Sequence, residues 1–194
     1  MRAFINSFRP TVILLALFTL LLGILYPLFM TGVGQLLFHQ TANGTLVIDK
    51  SGKIIGSEWI GQGFVKPEYF HSRPSSAGTG YDGASSSGSN LGPTSQKLID
   101  ALSSRASAYR TENKLATDAI LPSDAVSGSA SGLDPHISVA NAQLQAARIA
   151  AARGISEETI KKAIQQFTEG RTWGIFGEPR VNVLRINLAL DELQ

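Results

Sequence analysis

Three histidines, His39, His71 and His136, are the residues of this 194-residue chain best suited to bind a metal or move a proton. They lie far apart and lack His-x-x-x-His spacing, so they read as separate hydrogen-bonding residues. There is no cysteine, which excludes disulfides, thiolate metal sites, a thiol nucleophile and a lipid-modified cysteine anchor. No Gly-x-x-x-x-Gly-Lys-Ser/Thr run is present to cradle phosphates, and no Gly-x-Ser-x-Gly to present a nucleophilic serine. Glu157 and Glu158 are adjacent and point in different directions on a helix, which suits capping and not acid/base pairing. Asp134-Pro135-His136 reads as a turn that enters a helix. These residues give no catalytic set and no metal site, and they favour an interaction subunit over an enzyme.

The stretch best suited to binding is His71 to Ser95, in which thirteen of twenty-five residues are Gly or Ser. Composition alone predicts a flexible linker. Tyr69, Phe70, Arg73, Tyr81, Asp82, Asn90 and Pro93 punctuate it, and a passive tether needs no such residues. It is expected to be an ordered irregular loop, a type that often carries binding function. Tyr and Arg are frequent interface anchors, glycines such as Gly88 and Gly92 let backbone approach a partner closely, and Asn90 tolerates left-handed geometry.

The elements around this loop predict a mixed α+β domain. Leu46–Ile48 and Ile54–Ile55 flank Asp49-Lys50-Ser51-Gly52, the pattern of a β-hairpin. Pro93 opens a helix to about Tyr109. A second helix spans about Ser138 to Arg153 and stops at Gly154; a third starts after Ser156 and ends at Gly170. The alternating VNVLRINLAL run at 181–190 predicts a final strand.

The N-terminal region predicts a membrane anchor. From Pro10 to Ile48 there is no Asp, Glu, Lys or Arg, and Thr11 to Thr31 is almost wholly apolar. Twenty-one residues make a helix of about 31 Å, which matches the hydrocarbon core. The run is longer than the roughly 7–15 residue core of a signal peptide, and no Ala-x-Ala cleavage site follows, although Gly32 and Gly34 are small. Arg2 and Arg9 precede the run and the next basic residue is Lys50, so the positive-inside rule puts the N-terminus in the cytoplasm. Of 17 Lys and Arg, these two come first; the remaining fifteen balance the 15 acidic residues. A neutral domain without a basic stripe is no nucleic-acid binder. The organisation expected is 1–10 cytoplasmic, 11–31 transmembrane, and 32–194 an extracytoplasmic α+β domain with the ordered loop at 71–95.

Short motifs recur in a telling order. They are Gly23 and Tyr26-Pro27 in the anchor, Ile60-Gly61-Gln62, Pro67-x-Tyr69-Phe70-x-x-Arg73-Pro74, Tyr81-Asp82, Gly88-Ser89-Asn90-Leu91-Gly92-Pro93-Thr94, Ser129 to Ser138, and Asn187-Leu188-Ala189-Leu190-Asp191. In this order the whole chain resembles the KdpC family, the C subunits of bacterial Kdp potassium-transporting P-type ATPases. The resemblance implies an inner-membrane complex that uses ATP, Mg and K⁺. Its partners are a channel-like potassium-binding subunit, a P-type ATPase subunit and a small single-span subunit. It implies a non-catalytic role in assembly and stabilisation, with no catalytic aspartate and no metal or cofactor bound by this subunit. The family is also described as a catalytic chaperone that raises the ATP affinity of the pump subunit, with Gln143, Gln145 and Arg148 as nucleotide candidates. On the topology above these three lie outside the membrane, away from cytoplasmic ATP, and Gln145 with Arg148 reads as a solvated helix face.

The alternatives are a membrane-anchored extracytoplasmic binding module unrelated to transport, and an anchored enzyme with an unfamiliar active site. Co-purification of a multi-span protein and a P-type ATPase separates the first from the leading reading; turnover by the domain alone would mark the enzyme. The charge asymmetry also makes a prediction about orientation. Replacing Arg2 and Arg9 with Glu weakens the orientation preference, as read by a reporter fused at the C-terminal end. That reporter lies outside the cytoplasm in the wild type, and finding it inside would overturn the topology.

Overall fold

A computed structural model of the chain describes residues 2–192, with side chains from residue 7 onward; the side chain of Arg2 lies outside the described residues. The chain divides after Leu46 into two compact units. The first is helical: α1 (Arg2–Leu20), a π-helical turn (Leu21–Leu25), α2 (Tyr26–Leu37) and the short α3 (His39–Ala42). Ser7–Leu37 is mostly apolar, with Arg9 its one charged residue and a mean hydropathy of 2.6 in its best window, and is the one helix among the described residues long and apolar enough to cross a membrane. It extends beyond the 11–31 expected. The π turn explains how Pro27 is accommodated. Pro27 has no N–H to offer Gly23, and the Tyr26 N–H donates instead to the Leu21 carbonyl, widening the helix by one residue just before the ring.

The second unit is the expected α+β domain. Strands β1 (Leu46–Ile48) and β2 (Ile54–Ser57) form the hairpin. Its turn is held by Asp49, whose carboxylate accepts from the N–H of Ser51 at 2.8 Å and of Lys53 at 3.0 Å. Helix α4 (Gln96–Glu112) begins three residues later than expected, because the Ser95 N–H donates to the Gly92 carbonyl and leaves Pro93 and Thr94 in a turn. After α5 (Ser123–Val126) comes β3 (His136–Ser138), so Asp134-Pro135-His136 enters a strand before it enters a helix. Helix α6 (Val139–Arg153) is capped by the Ser138 hydroxyl and ends at Gly154 in the left-handed conformation, as the sequence predicts. Helix α7 (Glu157–Gln166) starts on the predicted Ser156 cap but stops short of Gly170, giving way to β4 (Thr168–Glu169).

The one misread element is the last. The run expected as a strand is β5 (Arg180–Asn182) followed at once by helix α8 (Val183–Asp191). Asn182 makes the switch: its side chain accepts from the Arg185 N–H at 3.1 Å, and its amide donates to the Glu58 carbonyl at 2.8 Å. The Val183 N–H, freed by the change of direction, donates to the Pro135 carbonyl. Val183, Ile186, Asn187 and Leu190 are then buried, a helical i, i+3, i+4, i+7 stripe that alternation had masked.

Strands β3, β5 and β4 form an antiparallel sheet in that order, with Ile137 and Thr168 both opposite Val181. The apolar faces of α6, α7 and α8 meet at a core that includes Phe70, Ile137, Ile149, Ile160, Val181 and Ile186. Because Asn182 caps α8 and also ties β5 to the end of the hairpin strand, replacing it with Ala is expected to cost about 2 kcal/mol. Urea unfolding of the full chain measures this.

Candidate functional site

Residues 58–95 contain no helix or strand, so their backbone polar groups need partners from elsewhere. Helices α6 and α8 supply them through side chains. The Asn187 amide accepts from the Phe70 N–H at 2.8 Å and donates to the Phe70 carbonyl at 2.9 Å. Gln145 does the same for His71, at 2.8 and 3.2 Å. Two side-chain amides thus stand in for a neighbouring strand. Arg148 donates to the carbonyls of Pro67 and Tyr69, to Asn113 and to Gln145, with Glu112 at 3.9 Å as its counter-charge. Burial lowers the pKa of this guanidinium, and Glu112 opposes the shift. Arg153 donates to the Glu68 and Leu190 carbonyls and to Asp191, and lies 5.2 Å from the Tyr69 ring centroid.

Gln145 is 1% exposed and Arg148 is 8% exposed. The solvated-face reading of this pair is therefore corrected: the residues are interior, and their polar atoms serve the loop backbone. Their spacing carried the signal, since Asn141, Gln145 and Arg148 form a polar stripe at i, i+4, i+7 beside Ala142, Ala146 and Ile149. Gln143, the third nucleotide candidate, is on the exposed side of α6.

Side-chain and backbone hydrogen bonds tie the Gly/Ser stretch to the rest of the domain. The Arg73 guanidinium donates to Asp134 at 3.0 Å and to the Gly128 carbonyl. The Ser75 hydroxyl donates to the Gly132 carbonyl and accepts from the Tyr81 N–H, and the Tyr81 hydroxyl donates to the Arg73 carbonyl at 2.7 Å. Burial raises the pKa of the Tyr81 hydroxyl; burial and then the Asp191 hydrogen bond do so for Tyr69. Residues 86–88 run against 130–132. A Cβ on Gly88 would come within 2.8 Å of the Ala130 carbonyl oxygen, and one on Gly132, at φ 68°, within 2.6 Å of that of Ser87.

These contacts sort the residues expected to anchor a partner. Phe70 is 0% exposed and belongs to the core, so its ring has no surface to offer; this corrects its placement among contact residues. Gly88 makes its close approach to its own chain. Tyr69, Arg73 and Tyr81 are half-buried and engaged internally. Asp82, Asn90, Gly92 and Pro93 are exposed, with Asn90 at φ 51° as its type allows and open space around Gly92. The histidines are separate: His71 sits 2.8 Å from Glu112, while His136 lies between Asp134 and Glu169.

The protein-family model "K+-transporting ATPase, c chain" matches residues 8–192. The chain belongs to the KdpC family. The curated potassium-transporting ATPase KdpC subunit of Mycobacterium tuberculosis is 56% identical over 184 residues, 95% of this chain and 97% of that protein. The KdpC subunits of Caulobacter vibrioides and Myxococcus xanthus are 50% and 51% identical over 187 and 188 residues; these cover 96% and 97% of this chain, and 93% and 87% of those proteins. This KdpC-family chain is thus the non-catalytic C chain of a Kdp potassium-transporting ATPase complex, and one N-terminal helix among its described residues is long and apolar enough to cross a membrane.

The Arg73–Asp134 pair, which closes the loop onto the β3 entry, gives the KdpC fold a pH-dependent term. Burial alone would raise the Asp134 pKa; hydrogen bonds from His136 and the charge of Arg73 outweigh it and hold the carboxyl below its ordinary value. A carboxyl depressed in the folded state stabilises fully above its unfolded value of about 3.9, and that contribution is lost as pH falls through the folded value. The urea midpoint of the wild type therefore falls more steeply below about pH 4 than that of Asp134→Asn.

Proposed function

We propose that this chain assembles and stabilises its complex by presenting residues 82–94 as a preshaped contact surface to the channel-like, potassium-binding subunit. Its N-terminus lies in the cytoplasm and its α+β domain lies outside, where K⁺ enters. The P-type ATPase subunit and the small single-span subunit complete the assembly. The observation that carries this reading is the way the irregular segment is held. Buried amides and guanidinium groups of α6 and α8 grip residues 67–71, and Arg73, Ser75 and Tyr81 lock the following turns. Asp82, Asn90, Gly92, Pro93 and Thr94 are left exposed on either side of Ser87 and Gly88, which are held against residues 130–131, and a surface fixed in this way draws its affinity from preorganisation. The neutral charge balance of the domain supports fastening over electrostatic concentration of K⁺. Gly23 in the anchor, where a Cβ would meet only the Thr19 methyl at 3.9 Å, offers a place for a neighbouring transmembrane helix to approach closely.

Co-expression with the other subunits tests the surface. Replacing Asp82 and Pro93 with Ala together with Asn90→Gly, which keeps the left-handed backbone at φ 51° relaxed, should leave the thermal midpoint of the full chain within a few degrees of wild type, because all three side chains are exposed. Recovery of the assembled complex and its K⁺-stimulated ATP hydrolysis should fall at least tenfold. Normal assembly by the triple variant would overturn the reading. Gly88→Val serves as the contrast, since it unfolds the domain itself by forcing a side chain into the Ala130 backbone.

A further inference from the structure

Between β4 and β5 the chain makes a short tongue that plays no part in the core. Arg171 and Glu178 close its base, with Nη2 of the guanidinium donating to both carboxylate oxygens at 2.7 and 2.8 Å. Thr172 and Phe176 bridge it, each N–H donating to the other's carbonyl, and the Gly174 N–H donates to the Arg171 carbonyl. At its tip Trp173, Ile175 and Phe176 are 86%, 71% and 59% exposed. The Trp173 and Phe176 rings meet edge-on, with centroids 6.0 Å apart.

Two physical costs are visible in this tip. Three large apolar side chains face water, on the order of 400 Å² of apolar surface by the usual area of such side chains. Trp173 also has φ 54°, a left-handed conformation that is uncommon for any residue with a Cβ and uncomfortable for a bulky one. Glycine at that position would be relaxed and would remove the exposed ring. Strain of this kind persists where a fixed side-chain pose is useful.

We infer that the tongue is a docking knob that inserts Trp173, Ile175 and Phe176 into an apolar socket on another subunit of the same ATPase complex. The inference rests on the subunit reading above and adds a second, separate contact. The choice of a protein socket over lipid follows from rigidity and charge. A bilayer accepts an apolar side chain in any pose, so it would not need a strained tryptophan stacked on a bridged turn. Loops that dip into lipid also carry free Lys and Arg for headgroups, whereas Arg171 here is neutralised by Glu178.

Area points the same way. The tip alone falls short of the roughly 800 Å² per partner of a standard interface. Directly beside it, Glu178, Pro179 and Arg180 form one wall of a groove of about 680 Å³ whose rim also carries Trp59, 56% exposed. The groove adjoins the tip through Glu178 and Pro179, so a partner seated on the knob extends its contact along it toward Trp59, an aromatic residue of the kind that dominates interface energetics.

The test uses the full chain co-expressed with the other subunits of its complex. Trp173→Gly removes the ring and relieves the left-handed strain. The variant chain on its own should therefore show an unchanged or higher thermal midpoint, while recovery of the assembled complex falls at least tenfold. A photoreactive residue at position 175 should crosslink to one of the other subunits. Recovery of the complex at the wild-type level by Trp173→Gly, unfolding of that variant on its own, or crosslinks to lipid alone would each overturn the inference. Failure of the wild-type chain to recover the other subunits would instead overturn the subunit reading on which it rests. Failure of the Asp82/Asn90/Pro93 variant to lose assembly leaves this inference standing, because the tongue is a different surface.

Discussion

The domain is organised around one requirement: an irregular segment crossing a folded core has to place every buried backbone donor and acceptor against a partner. Phe70 shows how sharply this applies. Its ring is wholly buried among Ile, Val and Ala side chains, so its N–H and carbonyl are also out of reach of water. A strand neighbour would satisfy them, and there is none. Asn187 does so with both ends of one amide, and Gln145 repeats the arrangement one residue later at His71. Left unpaired, each such group would cost about 1–3 kcal/mol.

The same requirement explains why the polar residues of α6 and α8 are interior. Asn141, Gln145 and Arg148 form a connected ladder along α6. Asn141 donates to Asp124, accepts from Tyr109 and Gln145, and Gln145 accepts in turn from Arg148. Asp124 also accepts from the Ser138 N–H and hydroxyl, which joins the ladder to the cap of α6. A buried guanidinium with only a distant carboxylate is held mainly by neutral acceptors, and four of its five donors have them. Such a network is tolerable because its members are satisfied, and it specifies one position for the loop because no other position satisfies them.

Family membership and geometry speak to different levels of function. The match over nearly the whole chain establishes a C chain of a potassium-transporting ATPase. The geometry adds that the recognisable Gly/Ser motifs divide into two groups. Phe70, Arg73, Tyr81 and Gly88 build the domain, whereas Asp82, Asn90, Gly92 and Pro93 lie on its surface. The tongue with Trp173 belongs to neither group and stands apart from the core altogether.

Several features were legible in the residues alone because their causes are local. An uncharged apolar run longer than a bilayer is thick can only be a helix in lipid or a buried one, and turn and cap residues act within four positions of themselves. The anchor, the Asp49 hairpin and both ends of α6 follow from such causes. What the tertiary structure alone decided is where polar side chains point and what covers them. Whether Gln145 and Arg148 face water or the core depends on a segment more than seventy residues earlier in the chain. Whether VNVLRINLAL is strand or helix depends on Asn182 meeting Glu58 and Val183 meeting Pro135. Apolar periodicity constrains which face of an element is buried, but contacts this distant in sequence are set only when the chain closes on itself.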